Sequence, residues 1–110
     1  MNISTLNDLL DLKQVGGNKL ENRIVEGCIV GDLLSVVMGK AKNNNIWVTI
    51  QSHVNIIAVA SLIDISGIII TEGFKADVET IEKANEENIK VFESNLSTYE
   101  IAKQLVKLDI

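Results

Sequence analysis

The sequence predicts an α/β fold, a three-layer α/β/α sandwich whose mostly parallel sheet has about four to five strands. Short β-branched runs recur at "EGCIVG", "IWVTIQ", "GIIIT" and "IKVFES", and each is followed by a stretch with helical spacing of its apolar residues. Strand and helix in alternation imply βαβ units, which close with right-handed crossovers and place helices on both faces of the sheet. "GIIIT" is a continuous apolar run, the pattern of a strand covered on both sides. At 110 residues the chain is expected to form a single domain over residues 1–110, with one core near the small end of comfortable stability.

Each element has its own local signal. Ser4 is placed to cap a first helix carrying Leu6, Leu9 and Leu10, which ends toward Gly16-Gly17. "RIVEGCIVGD" reads as a strand closed by Gly31-Asp32, and Asp32 as the cap of a helix bearing Leu33, Leu34, Val36, Val37 and Ala41. Proline is absent, so Asn43-Asn44-Asn45 supplies the next turn. "IWVTIQ" then alternates, with Ile46, Val48 and Ile50 on one face and Trp47, Thr49 and Gln51 on the other. A helix follows His53, and "GIIIT" follows the helix. Asp77 is the expected cap of a helix with a narrow stripe of Val78, Ile81 and Ala84. After "IKVFES", Ser97 and Glu100 form a capping box for a last helix with Ile101, Ala102, Leu105 and Leu108.

Composition limits the function classes. Hydrophobic residues are 46% of the chain, charged residues 23% and aromatic residues only 4%, so aliphatic side chains fill the core. Ten basic residues scattered among fifteen acidic ones give a net charge of −5, which argues against a phosphate backbone as partner. Trp47, Phe74, Phe92 and Tyr99 are too separated to stack on a single strand. The single cysteine, Cys28, lies in an apolar run and reads as a buried structural thiol. No signal segment opens the chain, and the longest apolar stretch, near residues 54–63, is far short of a membrane span. A cytoplasmic location with no membrane partner is the expectation.

In sheets of this type ligands sit beyond the carboxyl ends of the strands. That rule selects Gly31-Asp32, Gln51-Ser52-His53, Thr71-Glu72-Gly73 and Ser94 to Ser97, and these loops are expected to converge on one rim. The candidate ligand contacts are Asp32, Gln51, His53, Asn55, Thr71, Gly73, Ser94 and Ser97. His53, the only histidine, sits at a helix start, where the dipole favours the neutral ring. It contacts a ligand there, acts as a base although neither Gln51 nor Asn55 beside it titrates, or, with Asn55, hydrogen-bonds local backbone and shapes the turn, the last reading being favoured and the base the least. Asp32 and Ser97 have a double reading as ligand groups or plain caps. No G-x-x-x-x-G-K-[ST] or G-x-G-x-x-G loop occurs, and no paired carboxylates, Ser-His-Asp set or metal cluster stands at convincing spacing. No catalytic residue, cofactor or metal is therefore expected.

The helix after His53 carries Val54, Ile56, Ile57, Ala58, Val59, Ala60 and Leu62 around its whole circumference. A helix apolar all round is buried all round. A second copy of the chain is the expected cover, with Ile56, Val59 and Ala60, helped by Val37, at a two-fold interface. The helix near 77–88 instead shows Glu79, Glu82, Lys83, Glu86 and Glu87, a face made for solvent.

"VGDLLSVVM", "WVTIQSHVNIIAVASL", "GIIITEG" and "STYEIA", in this order across about residues 20–105, resemble the DRTGG domain family. The nearest counterparts of the motif that names the family are Asn22-Arg23 and Gly27. The resemblance implies an α/β/α fold like the amino-terminal domain of HPr kinase/phosphorylase. It also implies a module that accompanies enzymes without carrying their chemistry and often lies at subunit contacts, as between CBS modules in regulatory pyrophosphatases or ahead of some phosphotransacetylases. Short standalone members are associated with iron-hydrogenase genes, although one cysteine cannot hold an iron–sulfur cluster. The expected function is a non-catalytic regulatory or interaction module that self-associates and serves a partner enzyme. The alternative is a sensor that binds a small anionic metabolite or nucleotide at the strand-end rim.

Overall fold

The computed structural model describes residues 1–17 and 22–110. In chain order the elements are α1 (Ile3–Leu10), β1 (Lys13–Gly16), β2 (Cys28–Val30), α2 (Leu34–Lys40), β3 (Ile46–Thr49), α3 (Asn55–Ile63), β4 (Gly67–Ile70), α4 (Val78–Glu87), β5 (Val91–Glu93) and α5 (Thr98–Lys107). The strands form one sheet in the order β1-β5-β4-β3-β2. Neighbours from β2 to β5 pair in parallel, while β1 pairs antiparallel to β5 with Lys13 opposite Glu93. This is the mostly parallel α/β sandwich expected from the alternation of elements.

The strand order explains which helix goes where. From β2 to β5 each connection advances one place in the same direction, so crossovers of one hand put their helices on one face. Accordingly Val37 of α2, Ile56, Ile57, Val59 and Ala60 of α3, and Ala84 of α4 share a core with Trp47, Ile68, Ile70 and Val91. On the opposite face Ile3, Leu6 and Leu10 of α1 and Ile101 and Leu105 of α5 pack on Ile46, Val48, Ile69 and Phe92. All residues of β3 and β4 are buried, so Trp47 and Thr49 are as covered as Ile46 and Val48. The Trp47 indole meets its hydrogen-bonding need inside the core by donating Nε1–H to the Gly31 carbonyl at 2.8 Å. At Gly67 an added Cβ would stand 3.3 Å from Ile46 Cδ1 and Phe92 Cε2 and 3.4 Å from Ile3 Cδ1, so these side chains would have to give by a few tenths of an ångström to admit it.

Several local expectations are corrected. The cap position of the first helix belongs to Asn2, which makes no side-chain cap bond, rather than to Ser4, whose hydroxyl instead bonds the Asn22 side chain. It stops at Leu10 with Asp11 in a left-handed conformation, and the following residues form β1 where helix was expected. The strand read over Arg23–Asp32 shrinks to Cys28–Val30, because Val25 and Ile3 tie the preceding stretch to the amino terminus. Asp32 does not cap α2; that position belongs to Leu33. Asp77 occupies the cap position of α4 but makes no side-chain cap bond, whereas Ser97 Oγ accepts the Glu100 N–H at 3.1 Å.

The largest correction concerns α3. Ile56, Val59 and Ala60, with Val37 of α2, are 1, 6, 0 and 0% exposed within the single chain. They face the sheet and the flanking helices, so they do not form the outward surface expected of them. The helix is apolar nearly all round because it lies between α2 and α4 and touches both. Only Asn55, Ala58, Ser61 and Leu62 of it face outward.

Cys28 sits in the edge strand β2, half-buried against the α1/α5 core, and desolvation pushes its thiol up from an ordinary 9.0 to about 11. The unfolded chain therefore loses this proton first as pH rises. The contribution of the neutral thiol is complete below pH 9 and is lost as pH climbs toward about 11. Denaturant melts across that window are expected to show a steeper loss of stability for the wild-type chain than for Cys28→Ala.

Candidate functional site

The carboxyl ends of β2, β3, β4 and β5 share one rim, because parallel strands point the same way. Asp32 leaves β2 and turns its carboxylate toward β3. Its Oδ1 accepts from Thr49 Oγ1 at 2.8 Å and from the Ile50 N–H at 2.9 Å. Gln51 Nε2 donates to the Asp32 carbonyl at 2.9 Å, and the Gln51 N–H reaches Thr49 Oγ1. Asp32 and Gln51 are thus brought together as a clasp between the first two loops.

His53 is exposed just before α3, and its Nδ1 accepts the Asn55 N–H at 3.3 Å. That bond assigns the ring proton to Nε2, which points the donor side of the imidazole away from the turn. The next residue back, Ser52, offers its carbonyl to Thr80 Oγ1 at 2.7 Å and to the Asp77 N–H, binding this loop to α4.

Between β4 and β5 the chain leaves in opposite directions. The connection after β4 runs to α4 on one face, and the connection after β5 runs to α5 on the other. Such a divergence is where open α/β sheets hold their ligands. Here it brings Thr71, Gly73, Ser94 and Ser97 together, but the crevice is closed by the loops themselves. Gly73 N–H donates to the Ser94 carbonyl at 3.0 Å, and Glu72 N–H to the Leu96 carbonyl at 2.8 Å. Thr71 Oγ1 and Thr98 Oγ1 are 2.7 Å apart.

Two carboxylates that sequence reasoning missed occupy this crevice. Glu72 adopts a left-handed conformation, with φ of 62°, and its Oε2 accepts the Thr98 N–H at 2.8 Å. A negative group therefore already sits on the first turn of α5, where the unpaired N–H groups and the dipole favour one. Glu93, only 5% exposed at the end of β5, accepts the Ala76 N–H at 2.9 Å, with Lys75 Nζ 3.7 Å from its other oxygen. The local signal for Glu72 was a charged residue directly after a buried strand. Its partner lies 26 residues on, so the role was not readable from neighbours.

The rim thus gathers hydroxyls, amides and carboxylates without a nucleophile held by a base. Among the described residues no group of three or more His, Cys, Asp or Glu gathers to hold a metal, and no helix is long and apolar enough to cross a membrane. Among the described residues, clefts lie elsewhere: one of about 240 Å³ at Gln14, Val15, Gly16 and Asn85, one of about 180 Å³ between α1 and α5, and a shallow groove along the outer side of α5.

The DRTGG domain family matches this chain over residues 6–108. Among solved structures, the CBS and DRTGG domains of the regulatory region of Clostridium perfringens pyrophosphatase, complexed with the activator diadenosine tetraphosphate, superpose with a TM-score of 0.72 at 16% identity. The match covers 92% of this chain and 44% of the pyrophosphatase chain, so this chain spans less than half of that region. At this identity the likeness shows a shared fold. A search of curated proteins finds no match.

The Glu72 carboxylate is expected to act as a cap on α5. Glu72→Ala should lower stability by about 1 kcal/mol in urea melts, as removal of a helix cap does. His53→Ala, at an exposed turn, should stay within about 0.5 kcal/mol of wild type.

Proposed function

Because the chain belongs to the DRTGG domain family, we propose that it is a non-catalytic regulatory module that self-associates and serves a partner enzyme in the cytoplasm. One observation carries the self-association. Val30, Leu33, Val36 and Met38, four large apolar side chains within nine residues, are 49, 66, 42 and 49% exposed. They lie on β2, at the cap position of α2 and on α2 itself, at one end of the sheet, where no further strand among the described residues follows. Apolar side chains clustered on a surface mark contact sites, and a small core gains stability from a second copy. The expected interface therefore moves from the buried side of α3 to the outer side of α2.

The regulatory role is supported by the family and by the company that the fold keeps in the pyrophosphatase regulatory region. A second reading, sensing of a small anionic ligand, is favoured by the divergence of loops after β4 and β5, and by the nucleotide activator bound in that neighbour's region. For this chain, a nucleotide or phosphorylated metabolite at the rim would compete with the Glu72 carboxylate for the α5 N–H groups. Ligand contacts would then include Thr71, Gly73, Ser94 and Ser97, with Asp32, Gln51, His53 and Asn55 across the rim.

Leu33→Asp and Val36→Asp are the test of self-association. Each places a carboxylate on the exposed apolar side of α2 without entering the core, so the monomer should remain folded. Light scattering should report a dimer for the wild-type chain and a monomer for both variants. A wild-type monomer at high micromolar concentration would overturn the reading. For the sensor, melting temperature is followed against diadenosine tetraphosphate, ATP and inorganic phosphate. Specific binding raises it with concentration, and Glu72→Ala should enlarge the rise by freeing the helix terminus.

A further inference from the structure

We infer that two copies of the chain join through their β2 edges, pairing antiparallel about a two-fold axis at Ile29 so that the two sheets become one. This rests on the self-association proposed above and specifies its geometry.

The backbone of β2 has a self-complementary outer edge. On the inner side, Gly31 N–H donates to the Val48 carbonyl and the Gly27 carbonyl accepts from Ile46 N–H. Strand alternation then turns Ile29 toward β3 as well, and turns the N–H and C=O of Cys28 and Val30 outward. Two donors and two acceptors spaced two residues apart match their own copy when it runs antiparallel. Cys28 of each chain then exchanges hydrogen bonds with Val30 of the other, and the two Ile29 residues face each other as a non-hydrogen-bonded pair.

The flanks agree with a covered edge. Exposed sheet edges are normally protected by Lys, Pro or inward charge. The opposite edge strand, β1, begins with exposed Lys13. From Gly27 to Gly39, by contrast, the only charged residue is Asp32, and its carboxylate is engaged inward by Thr49 and Ile50. Exposed Glu26 stands just before this stretch, so the side is not free of charge. In a chain of net charge −5 it still carries fewer acidic groups than the α4 side, and a second acidic copy meets less repulsion here. The outer side of α4, with Glu79, Glu82, Glu86 and Glu87 exposed, is the reverse. Joining the edges also brings the exposed Leu33, Val36 and Met38 of the two α2 helices together beside the new strand pair, because α2 follows β2 directly.

Crosslinking tests the register. In a Cys28→Ala background, Ile29→Cys puts two thiols at facing positions of a non-hydrogen-bonded pair, whose Cα separation of about 4.5 Å suits a disulfide. With oxidised glutathione, this variant should accumulate a covalent dimer on a non-reducing gel. Val106→Cys in the same background, exposed on α5 away from the proposed interface, should give no covalent dimer on the same gel. Val30→Pro supplies a second measurement, since it removes only an outward N–H and leaves the bonds to β3 in place. It should weaken dimerisation by about tenfold or more with an unchanged far-ultraviolet circular dichroism spectrum. A wild-type dimer that neither crosslinks at Ile29→Cys nor weakens with Val30→Pro would overturn edge pairing while leaving self-association intact. If Ile29→Cys fails to fold, Val30→Pro decides alone. A wild-type monomer would overturn both.

Discussion

Two central strands with no solvent face dictate the rest of this molecule. Every residue of Ile46–Thr49 and Gly67–Ile70 is buried, so the sheet needs a helical layer on each side. Burial also forces the polar groups there to find partners within the protein. Trp47 uses the Gly31 carbonyl, and Thr49 uses Asp32. Both partners lie at the end of β2, so the same contacts that satisfy the core also place the first loop of the rim. Because the parallel strands advance in one direction, α2, α3 and α4 share a face, and α3 in the middle is covered by the sheet below and a helix on either side. Its apolar circumference is a consequence of position in the layer.

The rim inherits its geometry from this arrangement and its electrostatics from side chains that fold back on it. At the point where the loops diverge to opposite faces, the chain fills the crevice with its own acceptors: Glu72 on the start of α5 and Glu93 on the loop before α4. The Ala76 and Thr98 N–H groups are thereby already satisfied. These two contacts also tie the loop after β4 to the end of β5 and to the start of α5.

Surface charge divides the molecule. The outer side of α4 is strongly acidic, with Lys83 held between Glu86 and Glu87, and its ammonium pKa is raised by those two carboxylates. At the β2 end of the sheet, where β2 is the last strand among the described residues, exposed apolar side chains take the place of most of the charge. Exposed acidic and exposed apolar side chains are thus segregated to different parts of the surface. The net charge of −5 sharpens the division by penalising contact between copies anywhere acidic.

The sequence by itself determined the class of the fold, because β-branched runs and helical spacing are local properties that each segment carries with it. Parallel pairing followed from their alternation, and the convergence of the four loops followed from parallel pairing. The family resemblance, carried by separated segments in order, agrees with the match over residues 6–108. Tertiary structure decided what depends on distant partners. "KQVG" lacks a β-branched run and becomes β1 only because β5 offers it an antiparallel neighbour. Asp32 abandons the cap for Thr49, 17 residues away, and Glu72 becomes a cap for a helix 26 residues on. Ile56, Val59 and Ala60 face inward because the order of strands, which no single segment encodes, set α3 between two other helices. Periodicity reports how apolar a helix is around its axis. Which neighbours cover each side is decided only when the layers assemble.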